Sequence, residues 1–104
     1  MRVKITLESI CTGTIEKFAD AYELEMHVRE RKLPIGDPCR YFAAFRGVEE
    51  KQGSCLVSTH GNGATPEEAI RDYARQLSMK PIVHNAMCDD RRDIETWRFT
   101  EAES

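Results

Sequence analysis

The sequence contains no long apolar run. No segment approaches the roughly 20 apolar residues of a membrane-spanning helix, and the opening MRVKITLES has no stretch apolar enough for a secretion signal. We therefore expect a cytoplasmic protein without a membrane partner. The 104 residues, 40% apolar and 32% charged, suit one soluble domain spanning 1–104, in which 101–104 form a frayed tail.

The cysteines lack close spacing. They stand at Cys11, Cys39, Cys55 and Cys88, with no C-x-x-C pair. A structural zinc site needs closely spaced ligand pairs, and His84 with Cys88 offers only one loose pair, so we predict no metal and no cofactor. In a reducing cytosol we expect free thiols that are mostly buried.

No segment is strongly basic. Residues 1–33 carry six bases and six acids, 34–64 carry three of each, and 65–104 carry six bases against nine acids, which gives the net charge of −3. Phosphate backbones attract clustered Lys and Arg. We therefore do not expect the chain to bind nucleic acid directly.

The clearest local pattern spans residues 61–83, which read as a turn, a capped helix and an extended segment. Gly61 and Gly63 indicate the turn, Thr65 is an N-cap, Pro66 occupies the first helical position, and Glu68 completes a T-x-x-E capping box. One helical face is apolar: Ala69, Ile70, Tyr73, Ala74 and Leu77. A proline three residues after Ser78 ends the predicted helix.

The rest of the chain reads mainly as strands. Residues 23–31 alternate apolar and polar and favour a strand, although a single helix over 14–32 is the competing interpretation. The other predicted elements are a strand at 2–7, a helix from an N-cap at Thr14, a loop at 33–38, a strand at 41–48, a polar connection at 49–53, a strand at 54–60, a strand from 82, a charged turn at 88–92 and an extended segment at 93–100.

These elements predict an α+β fold, an antiparallel sheet with two helices on one face and the other face open. An unpaired strand edge in such a sheet also permits a homodimer.

The run Gly61-x-Gly63-x-Thr65-Pro66-Glu67-x-Ala69 resembles the motif before the last helix of double-stranded-RNA-binding domains, Gly-x-Gly-x-Ser-Lys-Lys-x-Ala-Lys. The resemblance implies that family's order, (β)αβββα, followed here by one or two short strands. The family's phosphate-gripping lysines correspond to Pro66, Glu67 and Ile70. The resemblance therefore supports the fold and argues against the RNA function.

The T-P-E-E-A run after an aromatic strand is similar to HicB-type antitoxins over roughly residues 40–78. In general character, although not in a specific motif, a short chain without an enzyme motif resembles small bacteriophage accessory proteins, some of which inhibit host defence complexes. We therefore expect a non-enzymatic protein-binding module, foremost a phage-type, anti-CRISPR-like inhibitor of a host protein or ribonucleoprotein complex, acting in the host cytoplasm. The alternatives are a HicB-like antitoxin of a small toxin ribonuclease and, third, a nucleic-acid-binding protein.

Candidate partner-binding residues follow from exposure and charge. In one strand the side chains of Cys55 and His60, five residues apart, point to opposite faces, which argues against a Cys–His nucleophile. We predict no catalytic residue. A charged turn is a candidate recognition loop, Trp97 is an interface anchor or a core residue, and one helix face presents two arginines. The candidate partner-binding residues are Asp89, Asp90, Arg91, Arg92, Trp97, Arg71 and Arg75.

Overall fold

The computed structural model describes residues 11–100, so the predicted strand at 2–7 and the predicted tail at 101–104 lie outside the described residues. The helices are α1 (Ile15–Tyr22) and α2 (Pro66–Leu77). The strands are β1 (Thr12–Gly13), β2 (Met26–Glu30), β3 (Tyr41–Phe45), β4 (Val48–Gln52), β5 (Cys55–Val57), β6 (Gly61–Gly63), β7 (Pro81–His84), β8 (Arg92–Glu95) and β9 (Arg98–Phe99).

Helix α1 is short because it is closed at both ends. The Thr14 hydroxyl accepts a hydrogen bond from the Lys17 N–H at 3.2 Å, as an N-cap does. Glu23 adopts a left-handed conformation, with φ at 55°, and its N–H returns to the last turn. The chain then enters β2. The strand predicted within 23–31 is therefore confirmed, and the continuous helix over 14–32 is wrong.

Helix α2 begins as the capping motif predicts. The Glu68 N–H donates to the Thr65 hydroxyl at 3.2 Å, and Pro66 opens the helix. The Glu68 carboxylate accepts from the N–H of Ala64 at 3.0 Å rather than from that of Thr65. The return bond of the capping box thus reaches one residue further back and ties the preceding segment to the first turn.

The predicted strand at 41–48 and the predicted polar connection at 49–53 are both corrected. The strand breaks at Arg46 and Gly47, where Gly47 has a φ of +70°. The charged residues that follow, Val48–Gln52, form β4, and the hairpin turn comes later, around Gly53, which has a φ of +62°. Alternating burial along β4 explains the strand: Val48 and Glu50 point inward.

The break at Gly47 divides the antiparallel strands into two sheets, so the single sheet predicted from the sequence is replaced. One sheet has the order β2-β3-β6 and the other β5-β4-β7-β8, while β1 and β9 form a short parallel pair. Residues 41–52 run through both sheets. Gly63 pairs with Tyr41 and Cys55 pairs with Gln52, so residues 44–49 lie opposite 58–60 at the break. The α+β class is confirmed.

The predicted turn at Gly61 and Gly63 is wrong, because both residues lie in strand β6, paired with β3. Neither has a positive φ. Their role is close approach to α2. A Cβ on Gly61 would overlap the Ala69 carbonyl oxygen and the Tyr73 nitrogen, and one on Gly63 would lie 2.5 Å from the Ala69 nitrogen. The two glycines let α2 pack directly on the backbone of the sheet.

Both helices and both antiparallel sheets contribute to one core. Its fully buried members include Phe18, Tyr73, Leu77 and Ile82. The four cysteines are free, but all are exposed, so the expectation that they are mostly buried is wrong. They lie before β1, in the 33–40 loop, at the start of the edge strand β5 and in the turn after β7, where apolar side chains are not required.

Within residues 11–100, neither helix combines the length and the apolar character that crossing a membrane requires.

Candidate binding surfaces

A groove lies beside α2, between α1 and β9; we call it the helix groove. Its floor is apolar, formed by Ile15, Ile70, Ala74 and Phe99. Its rim carries both signs of charge: Glu16, Glu67, Arg71 and Arg75. The predicted pair Arg71 and Arg75 is therefore brought together at the edge of an apolar depression.

The groove is sized for a side chain. Its volume is about 140 Å³, below the roughly 300–1,000 Å³ of sites that hold small-molecule ligands. It is several times the roughly 30 Å³ that one water molecule occupies in the liquid. The groove can therefore accept an apolar side chain from a partner more readily than a cofactor.

Arg75 is held at the rim by Asp72. Its guanidinium donates to Asp72 Oδ1 at 3.2 Å, while Asp72 Oδ2 accepts from the Asn62 N–H at 2.8 Å and from Gln76 at 3.0 Å. Burial raises the pKa of Asp72, but these hydrogen bonds outweigh it and hold the pKa below the ordinary value. Asp72 thus stays ionised and fixes Arg75 and strand β6 together.

The predicted recognition loop follows β7 and is internally bonded. Asp90 accepts from the Asn85 amide at 3.0 Å, and Arg91 pairs with Asp93 at 3.0 Å. Asp89 is exposed. Sequence reasoning missed Met87, which is 97% exposed and is the loop's apolar tip. The available signal was a short apolar run, residues 86–88, inside an otherwise polar turn.

Arg92 does not project with this loop. It starts β8 and contacts His84 Nδ1 through its guanidinium at 2.9 Å. Burial, with the positive charge of Arg92, lowers the pKa of His84. A neutral ring nitrogen can then accept from the guanidinium, so Arg92 and His84 brace the β7–β8 hairpin.

Trp97 packs against the core. Its ring centroid lies 5.3 Å from that of Phe18, edge to face, and 6.5 Å from that of Tyr22. A Cβ on Gly13 would lie 3.1 Å from the indole. Of the two interpretations of Trp97, the structure favours core packing. It places Trp97 behind the helix groove, in the same aromatic cluster as Phe99.

A further surface was not singled out from the sequence. Among the side chains that strand alternation and pairing place on the side of the β2-β3-β6 sheet away from α2, the polar and aromatic ones are His27, Arg29, Phe42 and Asn62. Arg31 and His60 flank Phe42. We call these six residues the sheet face. The sequence did indicate that residues 27, 29 and 31 share one face of a strand, because they are spaced two apart. Which residues of the neighbouring strand lie opposite them depends on strand register, which the sequence does not show.

One carboxylate is buried away from these surfaces. Glu50 is 5% exposed, accepts from the Thr59 hydroxyl at 2.9 Å and lies 3.4 Å from the Lys80 ammonium. These partners satisfy the carboxylate. Within residues 11–100 no group of three or more His, Cys, Asp or Glu side chains is arranged to hold a metal ion.

Comparisons with protein-family models, with curated proteins and with solved structures found no match to this chain.

Proposed function

We propose that this chain is a non-enzymatic protein-binding module and that the helix groove receives its partner. The observation that carries the proposal is the combination of an apolar floor, Ile15, Ile70, Ala74 and Phe99, with a rim of both charge signs. Stable protein interfaces have this anatomy, an apolar centre surrounded by polar residues. The groove's volume also suits one anchoring side chain of a partner, which is where binding energy concentrates.

The rim defines the partner's chemistry. Arg71 and Glu67 are one helical turn apart, so the partner should present an acid and a base at a similar spacing around an apolar anchor. A host protein or ribonucleoprotein complex inhibited by a phage-type, anti-CRISPR-like protein is the partner class we place first. A toxin ribonuclease neutralised by a HicB-like antitoxin is the second, and the identity of the captured protein distinguishes them.

The finer fold assignment belongs to the same proposal. The succession α1, β2, β3, β6, α2 supports an order like that of double-stranded-RNA-binding domains, with the β4–β5 hairpin inserted and β7 to β9 added. Such a core offers the groove beside α2 without the family's basic helix start, because Glu67 and Glu68 occupy the first turn of α2.

The test begins with capture. Tagged full-length protein is used to isolate partners from bacterial lysate with and without nuclease, and the bound proteins are identified and purified. Affinity is then measured for the charge swap Glu67→Arg/Arg71→Glu, which inverts the rim at constant net charge. We expect at least about a tenfold loss of affinity, since like charges now face the partner.

A matched swap on α1 controls for general effects. Lys17→Glu/Asp20→Lys inverts an exposed pair outside the groove and should leave affinity unchanged. Equal affinities for the wild type and the groove swap would refute the groove as the binding site. A partner that is captured only when nucleic acid is intact would refute a protein-binding module.

A further inference from the structure

The sheet face combines an aromatic ring with cations in direct contact. The Arg31 guanidinium carbon lies 4.4 Å above the centroid of the Phe42 ring, within the range of a cation–π contact. The His60 ring stands edge-on to Phe42, with centroids 5.7 Å apart. Phe42 is half-buried between these two neighbours. One ring thus forms a small platform bordered by groups that favour π systems and negative charge.

The platform is held in place by hydrogen bonds from three directions. Arg31 donates to the Cys39 carbonyl at 2.6 Å and to the Asn62 side-chain oxygen at 2.8 Å. The backbone of Asn62 is in turn fixed by Asp72. The guanidinium therefore keeps its position over Phe42 without needing a ligand, which lowers the ordering cost of binding.

The charge on this side is locally positive. Arg29 is exposed, and among the described residues no carboxylate lies within 4 Å of Arg29 or Arg31. Arg46 at the edge lies 3.7 Å from Glu25, which also contacts His27 at 3.1 Å. Glu25 is thus already paired at this edge, and Glu49 lines the adjoining cleft.

A cleft opens next to the ring. It lies at the break in strand pairing, holds about 430 Å³, and is lined partly by Phe42, Glu49, Ser58, Thr59 and His60. The cleft is open to solvent, and its volume is within the range of sites that hold small ligands. The Glu49 carboxylate and the Ser58 hydroxyl supply hydrogen-bonding groups beside an aromatic wall, as recognition of a nucleobase edge requires.

From this arrangement we propose that the sheet face binds an unpaired nucleic acid strand. One base stacks on the face of the Phe42 ring that borders the cleft, opposite the Arg31 guanidinium. Arg29, and the N–H groups of Arg31 that bond to neither Cys39 nor Asn62, contact the adjoining phosphates. Stacking on an aromatic residue needs an exposed base face, which a duplex does not offer. The carboxylate of Glu49 favours a base with an exocyclic amino group, such as cytosine.

This proposal departs from the expectation that nucleic acid is not bound. That expectation counted charge by chain segment, whereas strand pairing brings residues 27, 29, 42 and 62 from separate segments to one side of a sheet. It is argued from different residues than the helix groove, so either proposal can fail alone.

The test is fluorescence anisotropy of the full-length protein with labelled 12-nucleotide oligocytidylate, as RNA and as DNA, and with a duplex of equal length. We expect both single strands to bind more tightly than the duplex, with the RNA and DNA arms showing whether the sugar matters. Neutralising two or three phosphates predicts a slope of log affinity against log salt of about −1.4 to −2.1.

Variants locate the site. Phe42→Leu should weaken binding about tenfold or more, while Phe42→Tyr, which keeps a stacking ring, should retain it. Arg29→Glu should weaken binding, and Lys17→Glu, the same change of charge on exposed α1, should not. Thermal unfolding confirms that each variant is folded.

Three results would overturn the proposal. The first is no binding of either single strand at 25 mM salt with about 1 mM protein, a concentration at which even weak non-specific contacts register. The second is undiminished binding by Phe42→Leu. The third is binding of polyglutamate in place of the oligonucleotides, which would assign the surface to an acidic protein segment.

Discussion

The helix groove and the sheet face use charge differently although both depend on α2. In the groove, Arg71 and Glu67 alternate around an apolar floor, so net charge is balanced and shape decides the fit. On the sheet face, Arg29 and Arg31 surround a single ring, and charge of one sign is concentrated. The contrast indicates that a balanced rim suits a folded protein partner, whereas a cationic platform suits a polyanion.

The two surfaces are physically joined. Arg75 at the groove rim bonds to Asp72, which bonds to the backbone of Asn62, whose side chain accepts from Arg31 over the Phe42 ring. One carboxylate on α2 therefore supports both sites. A ribonucleoprotein partner could therefore engage both surfaces at once.

The largest effect is expected at Gly61, because it seats α2 on the sheet that carries both surfaces. In Gly61→Val the new side chain would overlap the backbone at Ala69 and Tyr73. Overpacking typically costs about 1–3 kcal/mol, and we expect about 3 kcal/mol here because the overlap is with backbone atoms. Denaturant unfolding should show this loss, and binding at both surfaces should fall together. Such a result would show that binding at both surfaces depends on the packing of α2 against β6.

Gly53→Ala is the control for Gly61→Val. Gly53 has a φ of +62°, and a Cβ there meets no heavy atom within 4 Å, so only backbone strain of about 1–2 kcal/mol is expected. A Gly61→Val protein as stable as the wild type would show that α2 can move away from β6 without cost, and the close-approach argument would be wrong.

Sequence reasoning found what is encoded locally and missed what depends on distant partners. Thr14 and Thr65 bond to residues three positions on, so their caps could be read directly. Gly61 and Gly63 resemble turn residues in the sequence. The local pattern does not show that α2 packs against them too closely for a Cβ. The break at Gly47 was likewise hidden, since it depends on pairing with β2 and β7.

The same division holds for the candidate sites. Arg71 and Arg75 could be assigned to one helix face from their spacing, and the structure places them together at the groove. The apolar floor they border includes Ile15 and Phe99 from distant parts of the chain. The sheet face needed the register of Arg29 opposite Phe42, which the sequence does not give.

Trp97 gives the next largest effect and tests whether it serves packing or binding. Trp97→Ala removes the edge-to-face contact with Phe18 and the contact with Tyr22. The loss should be about 2–3 kcal/mol, below the roughly 3–5 for a fully buried ring, measured by denaturant unfolding. At temperatures where the variant is folded, oligonucleotide affinity should not change, whereas partner affinity should fall modestly because Trp97 lies behind the groove. A large loss of binding with unchanged stability would make Trp97 an exposed anchor instead.

Tyr73 gives a smaller effect that appears at high pH. Burial, reinforced by the charge of Glu50, raises the pKa of Tyr73 to about 12 despite a hydrogen bond to the Phe45 backbone. The unfolded value is near 10, so the folded state favours the neutral phenol. This contribution is complete below pH about 10 and is lost as the pH rises toward 12.

Tyr73→Phe should therefore change stability at neutral pH by no more than about 1 kcal/mol and flatten the decline in stability between pH 10 and 12. The free energy of unfolding is measured across that interval, with Tyr41→Phe, a half-buried ring in β3, as the control. An equally steep alkaline decline in Tyr73→Phe would assign the decline to other groups. Because Tyr73 lies between the surfaces, neither affinity should change at pH 7.

The smallest effect on stability, and the sharpest test of the link between the surfaces, is Asp72→Asn. The pKa of Asp72 is lowered, so its contribution is complete above the unfolded value near 3.9 and is lost as the pH falls through the folded value. The amide keeps one acceptor oxygen, and we expect less than about 1 kcal/mol of destabilisation at pH 7, decreasing toward pH 2.

If Asp72 supports both sites, partner affinity and oligonucleotide affinity should each fall several-fold, since Arg75 loses its anchor and Asn62 its fixed backbone. Glu68→Gln, which weakens the start of the same helix without touching this chain of bonds, should leave both affinities unchanged. A loss confined to one surface would mean that the bonds through Asp72 do not couple the sites, and that the groove and the sheet face share a helix without sharing a mechanism.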